Sequence, residues 1–204
     1  PPKEGVTDEQ ILSALGANTQ ISPLRAAELI EDPTIGFAHL SQRSYSPEAY
    51  AVREIRRHIQ KRPPWAATEK AQIFMQSTGS NHLVIGYYHS GYEELFLKLI
   101  EERDLDSGLV TKGLEGCSSF SLRTSRTSDP DHTAVNSTMG TKKEHGKFVR
   151  FSADANPVEF GFNYEKHPRP ETVSAEAFAA TGLGALSGGK GETFDHLIFN
   201  VGIK

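Results

Sequence analysis

The spacing of apolar and polar residues predicts helices near the start of the chain. A capping-box pattern at Thr7 and Gln10, in which each side chain can bond the backbone amide of the other residue, predicts a short helix over residues 8–15. A Ser-Pro pair that begins at Ser22 has the pattern of an N-cap followed by proline at the first helical position. This pair predicts a second helix, which we expect to end near Asp32.

The middle of the chain alternates apolar runs with amphipathic stretches. Residues 35–40 and 82–88 have the apolar runs of short strands, whereas residues 46–60 begin with Ser-Pro and have the pattern of a helix. Residues 92–103 carry apolar side chains at helical spacing, and residues 108–111 return to the pattern of a strand. The order of strand, helix and strand predicts two parallel strands covered by a helix.

The last part of the chain begins with a polar stretch and ends in helices. Residues 123–147 are mostly Ser, Thr, Asp, His and Lys, which predicts a mobile surface loop. Residues 148–151 and 159–162 have the pattern of short strands, and residues 174–181 and the stretch from Glu192 onward that of helices. We therefore expect an α/β fold with a mostly parallel sheet flanked by helices.

The composition indicates one globular domain. The chain has 204 residues, of which 37% are apolar, and a net charge of −4, a balance typical of soluble folded proteins. Its one cysteine, Cys117, cannot form an internal disulfide or a cysteine-based zinc site. No apolar run approaches the roughly 20 residues that a membrane span requires. We expect a cytoplasmic protein without membrane contact and, because the sequence starts at Pro1, a domain of a longer protein.

Several stretches of the chain carry motifs in a characteristic order. Residues 1–5 read PPKEG, similar to a Ser-Ser-Lys-Ser-Gly motif, and residues 35–37 read IGF, where a Gly-Phe pair is expected. Residues 46–62 open with SPEA and close with IRRHIQKR, similar to His-Pro-Ala-Met and Val-Arg-Arg-Glu-Leu-Gly-x-Arg. Residues 110–116 read VTKGLEG, similar to Val-His-Gly-x-Asp-Gly-Leu-Asp-Glu, and residues 185–200 are similar to a last helix with its asparagine. In this order the stretches resemble the C-terminal α/β domain of the anthranilate phosphoribosyltransferases, which are glycosyltransferases related to the pyrimidine nucleoside phosphorylases.

The chain departs from the family at positions that carry chemistry. Pro1 and Pro2 replace two serines of the first motif, and residues 63–70 replace the family's Thr-x-Phe-Asn-x-Leu-Gly-Pro element. Lys112 and Gly116 stand at acidic positions, so that Glu115 is the one acidic residue left there. The resemblance therefore implies a paralogue whose catalytic motifs are partly lost, and no residue is assigned a catalytic role.

The resemblance implies a function in pentosyl transfer. The family, which acts in tryptophan biosynthesis, joins an aromatic amine to phosphoribosyl pyrophosphate with the help of magnesium. By resemblance, Glu115 alone would hold Mg²⁺ here, weakly or not at all. Relatives dimerise through an N-terminal helical domain, so that a homodimer is expected for the full-length protein. The residues expected to bind substrate or anion are Lys3, Gly5, Thr7, Arg56, Arg57, Arg62, Lys112 and Gly113.

Each of these groups also has a purely structural interpretation. Lys3 and Gly5 precede a helix N-terminus, whose free amides favour an anion. Arg56 and its neighbours can present a guanidinium fork to a carboxylate or phosphate, but they can equally form a solvated basic face. Lys112 and Glu115 can also simply pair with each other.

Two further functions stay open beside an active transferase that uses a phosphorylated ribose donor. The first is a non-catalytic paralogue that binds nucleic acid through a basic groove formed by residues 53–70 together with Lys142, Lys143 and Lys147. The net charge of −4 counts against this function unless the positive charges gather on one face. The second is a regulatory protein that binds a small molecule without turnover.

Overall fold

The chain divides into two compact units. Unit 1 comprises Pro1–Glu69, Ile73–Met75 and Arg169–Gly184, and unit 2 comprises Lys70–Gln72, Gln76–Pro168 and Ala185–Lys204. The computed structural model describes residues 5–59, 69–113, 116–123, 136–164 and 170–203. Among the described residues, no helix is long and apolar enough to cross a membrane.

Short helices make up most of the described part of unit 1. The two helices predicted first are confirmed: Thr7 and Gln10 form a reciprocal capping box, and the Ser22 hydroxyl accepts from the amide of Arg25 at 3.1 Å. The helix predicted over residues 46–60 is divided in two and preceded by another short helix. The helices of this region are α1 Asp8–Ala14, α2 Pro23–Glu31, α3 Gln42–Tyr45, α4 Pro47–Ala51 and α5 Arg53–Ile59.

A small apolar cluster forms the core of unit 1. Ile21, Ala26 and Leu40 are buried together, and partly buried apolar residues pack around them. The strand predicted over residues 35–40 was wrong. The backbone amide of Ile35 instead donates to the carbonyl of Asp32 in the turn that follows α2. The apolar run therefore begins in this turn, and it pairs with none of the described strands.

Unit 2 is built on a four-stranded sheet in the order β1-β2-β3-β4. Only β1 and β2 are parallel, whereas β2–β3 and β3–β4 are antiparallel. The α/β class is therefore confirmed, but the prediction of a mostly parallel sheet was wrong. The strands are β1 His82–Gly86, β2 Ser107–Thr111, β3 Thr138–Glu144 and β4 Lys147–Ser152.

The prediction of a surface loop over residues 123–147 was wrong for β3, which lies in the sheet between β2 and β4. Thr138 and Thr141 are almost completely buried, and the ring of Phe151 lies over Gly140. β3 and β4 are joined at His145 and Gly146, which both have positive φ, as in the type I′ turns that suit hairpins. The buried hydroxyls of β3 have partners in its neighbours: that of Thr138 lies 3.5 Å from the hydroxyl of Thr111 in β2, and that of Thr141 donates to Glu101 at 3.1 Å.

One helix covers a face of the sheet in unit 2. This helix, α6 Tyr92–Glu102, connects β1 to β2 as predicted and buries Phe96, Leu97 and Ile100. A Cβ added to Gly108 would lie 2.4 Å from the end of the Ile100 side chain, so glycine lets Ile100 pack directly on β2, and a larger residue would force that side chain to shift.

The C-terminal part of unit 2 packs around Phe199. The strand predicted over residues 159–162 was wrong, because Asn156 caps a 3₁₀ helix, Pro157–Phe160, that ends at Gly161 with φ 82°. The last two helices are α7 Ala175–Leu186, most of which belongs to unit 1, and α8 Glu192–Ile203 in unit 2. Both agree with the predicted helices in place, although α7 extends further. Asn200 on α8 bonds both the amide and the carbonyl of Phe120, which anchors the helix to the core.

Candidate functional site

The topology of unit 2 gathers four chain segments at one edge of its sheet. The parallel strands β1 and β2 both end there, and because of their antiparallel pairing β3 begins there and β4 ends there. We call this the carboxyl edge. Its described residues are 86–91 after β1, 112–113 and 116–119 after β2, 136–137 before β3, and 153–155 after β4. In α/β sheets, ligands commonly bind outside the carboxyl ends of parallel strands. This edge is therefore the candidate site.

Two glycines let the segment Gly116–Ser119 approach the ends of the parallel strands. A Cβ added to Gly86 would lie 2.1 Å from the carbonyl carbon of Cys117. A Cβ added to Gly113 would lie 2.3 Å from the carbonyl oxygen of Cys117 and 2.5 Å from that of Ser119. Because these neighbours are backbone atoms, they cannot rotate away, and both positions require glycine.

Lys112 and Gly113 are the predicted site residues that lie at this edge. They directly follow β2, and the amide of Lys112 donates to the carbonyl of Ser137 at 2.8 Å. The Lys112 side chain is half-buried and makes no hydrogen bond or ion pair with the described residues. The expected pairing with Glu115 falls outside them. A lysine held in this way can bind a phosphate as a point charge.

Acidic groups lie at the same edge. Tyr87 is only 6% exposed, and burial together with the nearby charges of Glu93 and Asp154 raises the pKa of its phenol. The Asp154 carboxylate accepts from the amide of Thr138 at 3.3 Å. The edge thus combines a lysine with two carboxylates, so that its polarity is mixed.

The N-terminus of α6 is occupied by a side chain of its own. The Glu93 carboxylate accepts from the amide of Gly91 at 2.7 Å, and the first turn of α6 also contains Glu94. A carboxylate there uses the same amides and helix dipole that would otherwise attract an anion. We therefore expect anions to bind beside Lys112 and not at this helix end.

The predicted anion site before α1 has no free hydroxyl at Thr7. The Thr7 oxygen accepts from the amide of Gln10 at 3.2 Å, while the Thr7 amide donates to the Gln10 side chain at 2.8 Å. The first turn of α1 adds Asp8 and Glu9, and Gly5 lies just before it in open space. The capping box thus uses the Thr7 hydroxyl and the backbone amides of Thr7 and Gln10. Lys3 lies outside the described residues, so the anion site before α1 stays a prediction.

The predicted arginines belong to unit 1, whereas Lys112 and Gly113 belong to unit 2. Arg56 and Arg57 lie within α5, where the structure describes their backbone, and Arg62 lies outside the described residues. Their neighbour Arg53 stacks on the ring of Tyr50 and pairs with Glu54. The acceptor-side prediction for Arg56 therefore stays a prediction.

The described residues contain no group of three or more His, Cys, Asp or Glu side chains that could hold a metal ion. A magnesium ion can bind through one or two carboxylates plus substrate oxygens. The predicted ligand Glu115 lies outside the described residues, so the Mg²⁺ prediction is carried only by the resemblance.

The lysines assigned to a nucleic-acid groove are partly neutralised. Lys142 pairs with Glu144 at 2.7 Å, and Lys143 pairs with Asp104 at 2.7 Å. Such pairs reduce the positive charge that β3 offers to phosphates. Lys147, at the start of β4, is exposed.

Sequence reasoning missed a buried asparagine that supports the edge. The side chain of Asn136 is 3% exposed, accepts from the amide of Ser121 at 2.7 Å and donates to its carbonyl at 2.8 Å. This contact fixes residues 120–122 against the start of β3. Asn136 stands at the end of a long polar run, so no local pattern distinguished it from surface residues.

Comparisons with known proteins do not extend these observations. Neither protein-family models nor curated protein sequences yield a match to the chain.

Proposed function

We propose that this chain is a domain of a phosphoribosyltransferase-like protein and binds pyrophosphate or a phosphorylated ribose at the carboxyl edge, beside Lys112 and Gly113. One observation carries the proposal: the parallel unit β1-α6-β2 ends in a half-buried lysine followed by a glycine that is closely packed against backbone. The motif resemblance of residues 110–116 agrees with it.

The chemistry of the edge favours a phosphate that carries a metal ion. Lys112 supplies one positive charge, and a glycine at position 113 allows backbone to come close to a ligand. Glu93 and Asp154 would repel a bare pyrophosphate, which carries several negative charges at neutral pH. We therefore expect magnesium pyrophosphate to bind more tightly than pyrophosphate alone, with Mg²⁺ held mainly by the substrate oxygens.

Titration calorimetry with magnesium pyrophosphate tests this binding. Lys112→Ala should weaken the affinity at least tenfold, which corresponds to about 1.4 kcal/mol. Lys98→Ala is the matched control, because Lys98 lies on the exposed face of α6 and, among the described residues, pairs only with Glu102, at 3.6 Å. An unchanged Kd for Lys112→Ala, or an equal loss for Lys98→Ala, would contradict a site at Lys112.

Turnover is a separate question with its own assay. An active transferase of this type, given magnesium and phosphoribosyl pyrophosphate, consumes anthranilate, whose fluorescence can be followed directly. A fluorescence decrease above background with the full-length protein would support catalysis. Constant fluorescence together with tight pyrophosphate binding would instead identify a binding protein without turnover.

The nucleic-acid function remains the alternative proposal. It predicts DNA binding that weakens steeply as salt rises, because bound phosphates release counterions. Because Lys142 and Lys143 are already paired with carboxylates, this alternative depends on the other basic residues assigned to the groove. Absence of DNA binding at low salt would remove this alternative.

A further inference from the structure

We infer that Lys70 is a positioning residue of the carboxyl edge: it ties the end of β1 to the segment Gly116–Ser119 and thereby orients Gly113 for the ligand. This inference deepens the proposed function and rests on it. Lys70 lies in a single 3₁₀ turn, Glu69–Ala71. Its ammonium donates to the carbonyl of Gly86 at 2.7 Å and also to the carbonyl of Gly116.

The Gly86 carbonyl needs a donor from outside the sheet. The amide of Tyr87 donates to Thr111 of β2 at 2.9 Å, and in a trans peptide the carbonyl points away from the amide hydrogen. The Gly86 carbonyl therefore points to the outer side of β1, which is an edge strand among the described strands. Lys70 supplies the missing hydrogen bond there, and its charge strengthens the bond.

The second carbonyl makes this contact into a clamp. Gly116 belongs to the segment that presses against Gly86 and Gly113 through the backbone of Cys117. A Cβ added to Gly116 would itself lie 3.4 Å from the Lys70 ammonium, and the φ of 81° at Gly116 again favours glycine. One ammonium thus joins two carbonyls that are 30 residues apart in the sequence (positions 86 and 116).

The clamp bears on the ligand site through Gly113. The carbonyl oxygen of Cys117 is in contact distance of Gly113, so that movement of the clamped segment would shift Gly113 relative to Lys112. Lys112 is held separately by the carbonyl of Ser137. We therefore expect loss of Lys70 to disturb the geometry between Lys112 and Gly113 without unfolding the sheet.

The single cysteine of the chain provides a direct probe of the clamped segment. Cys117 is exposed, so a nitroxide spin label can be attached there without further substitutions. In Lys70→Met, the electron paramagnetic resonance spectrum should show greater label mobility than in the wild-type protein. Lys70→Arg should retain most of the wild-type order, because a guanidinium can also donate to two carbonyls. Lys98→Met should leave the spectrum unchanged.

Calorimetry on the unlabelled variants completes the test. Lys70→Met should weaken magnesium pyrophosphate binding about tenfold while its far-UV circular dichroism stays that of the wild type, and Lys70→Arg should recover most of the affinity. Should Lys70→Met fail to fold, Lys70→Gln gives the same two measurements.

The outcomes separate the inference from the proposed function. An unchanged spectrum in Lys70→Met would overturn the clamp. A mobile label with unchanged pyrophosphate affinity would overturn the positioning role. If the wild-type protein binds no pyrophosphate, the proposed function fails, the positioning role fails with it, and the spectra alone decide whether the clamp exists.

Discussion

Two regions of unit 2 are stabilised by different means. At the carboxyl edge, glycines allow two backbone segments to pack directly against each other. The buried side-chain amide of Asn136 also bonds the backbone amide and carbonyl of Ser121. On the sheet face beneath α6, the Arg150 guanidinium binds both carboxylate oxygens of Glu101, at 2.7 and 2.8 Å, and Glu94 at 2.7 Å. In the first region Gly86 and Gly113 leave no room for an added Cβ, whereas the second consists of charges that are partly exposed. We expect substitutions at the edge to cost much more than those in the ion-pair network.

The largest effect should follow Gly86→Ala. The added Cβ would lie 2.1 Å from a backbone carbon, and such overpacking should reduce the free energy of unfolding by about 3 kcal/mol or more. Urea denaturation followed by circular dichroism measures this loss. Gly202→Ala is the matched control, because a Cβ there meets nothing within 4 Å and lies in the helix α8. Equal stability of the two variants would show that the edge is not tightly packed.

A somewhat smaller loss is expected for Asn136→Ala at the same edge. The substitution leaves the amide and carbonyl of Ser121 buried without partners, which should cost about 3 kcal/mol or slightly less. The control is Asn156→Ala, which removes an exposed helix cap, where the bond to the amide of Val158 is 3.2 Å, and should cost about 1 kcal/mol at most. If urea denaturation shows the same loss in the free energy of unfolding for both variants, the burial of the Asn136 hydrogen bonds does not add to their contribution.

In the ion-pair network, Arg150→Met should have a modest effect. The side chains of Arg150 and Glu94 are 40% and 60% exposed, whereas that of Glu101 is 20% exposed, so the network should contribute about 1 kcal/mol to the free energy of unfolding, the upper end for exposed ion pairs. The loss should shrink as salt is added, because salt screens exposed charges. Lys98→Met, which breaks only an exposed pair at 3.6 Å, should be neutral. A loss as large as that of Gly86→Ala would contradict the contrast between the two regions.

The smallest effect is a pH dependence of the same network. The hydrogen bond from Arg150 lowers the pKa of Glu101 below its usual value of 4.5. A carboxyl with a lowered folded-state pKa stabilises the fold above its unfolded-state pKa and loses that contribution as the pH falls through its folded-state pKa. The stability difference between the wild type and Glu101→Gln should therefore be constant near neutral pH and shrink below about pH 4.5. A difference that stays constant down to about pH 3 would exclude this linkage.

Local patterns predicted the elements whose signals lie within a few residues. Three helices were predicted correctly in this way: α1 from the capping box at Thr7, α2 from its Ser-Pro start, and α6 from its amphipathic pattern. β3 was missed because its polar residues are buried by their position between β2 and β4, which the local sequence does not show, and the His-Gly turn before β4 is a weaker signal than Asn-Gly. The run at residues 35–40 looked like a strand but has no strand to pair with, and pairing is a tertiary property.

The candidate site was predictable in part. The strand before Lys112 and Gly113 was recognised, which led to the expectation that they follow a parallel strand at its carboxyl end. Lys70 was not singled out, because the carbonyls that it binds lie 16 and 46 positions away. Asn136 was missed for the same reason, since its partner Ser121 lies 15 positions away.

The sequence by itself determined the short-range features of this protein: the helix caps, the strand-helix-strand order of β1, α6 and β2, and the chemistry of the lysine and glycine that follow β2. Only the tertiary structure decided that β3 and β4 complete the sheet in antiparallel pairing, that the start of β3 and the end of β4 join the two parallel strand ends at the carboxyl edge, and that Lys70 bridges two carbonyls there. The physical reason is that caps and periodicity depend on neighbours within one or two turns, whereas strand pairing and close backbone contact depend on residues brought together by the fold.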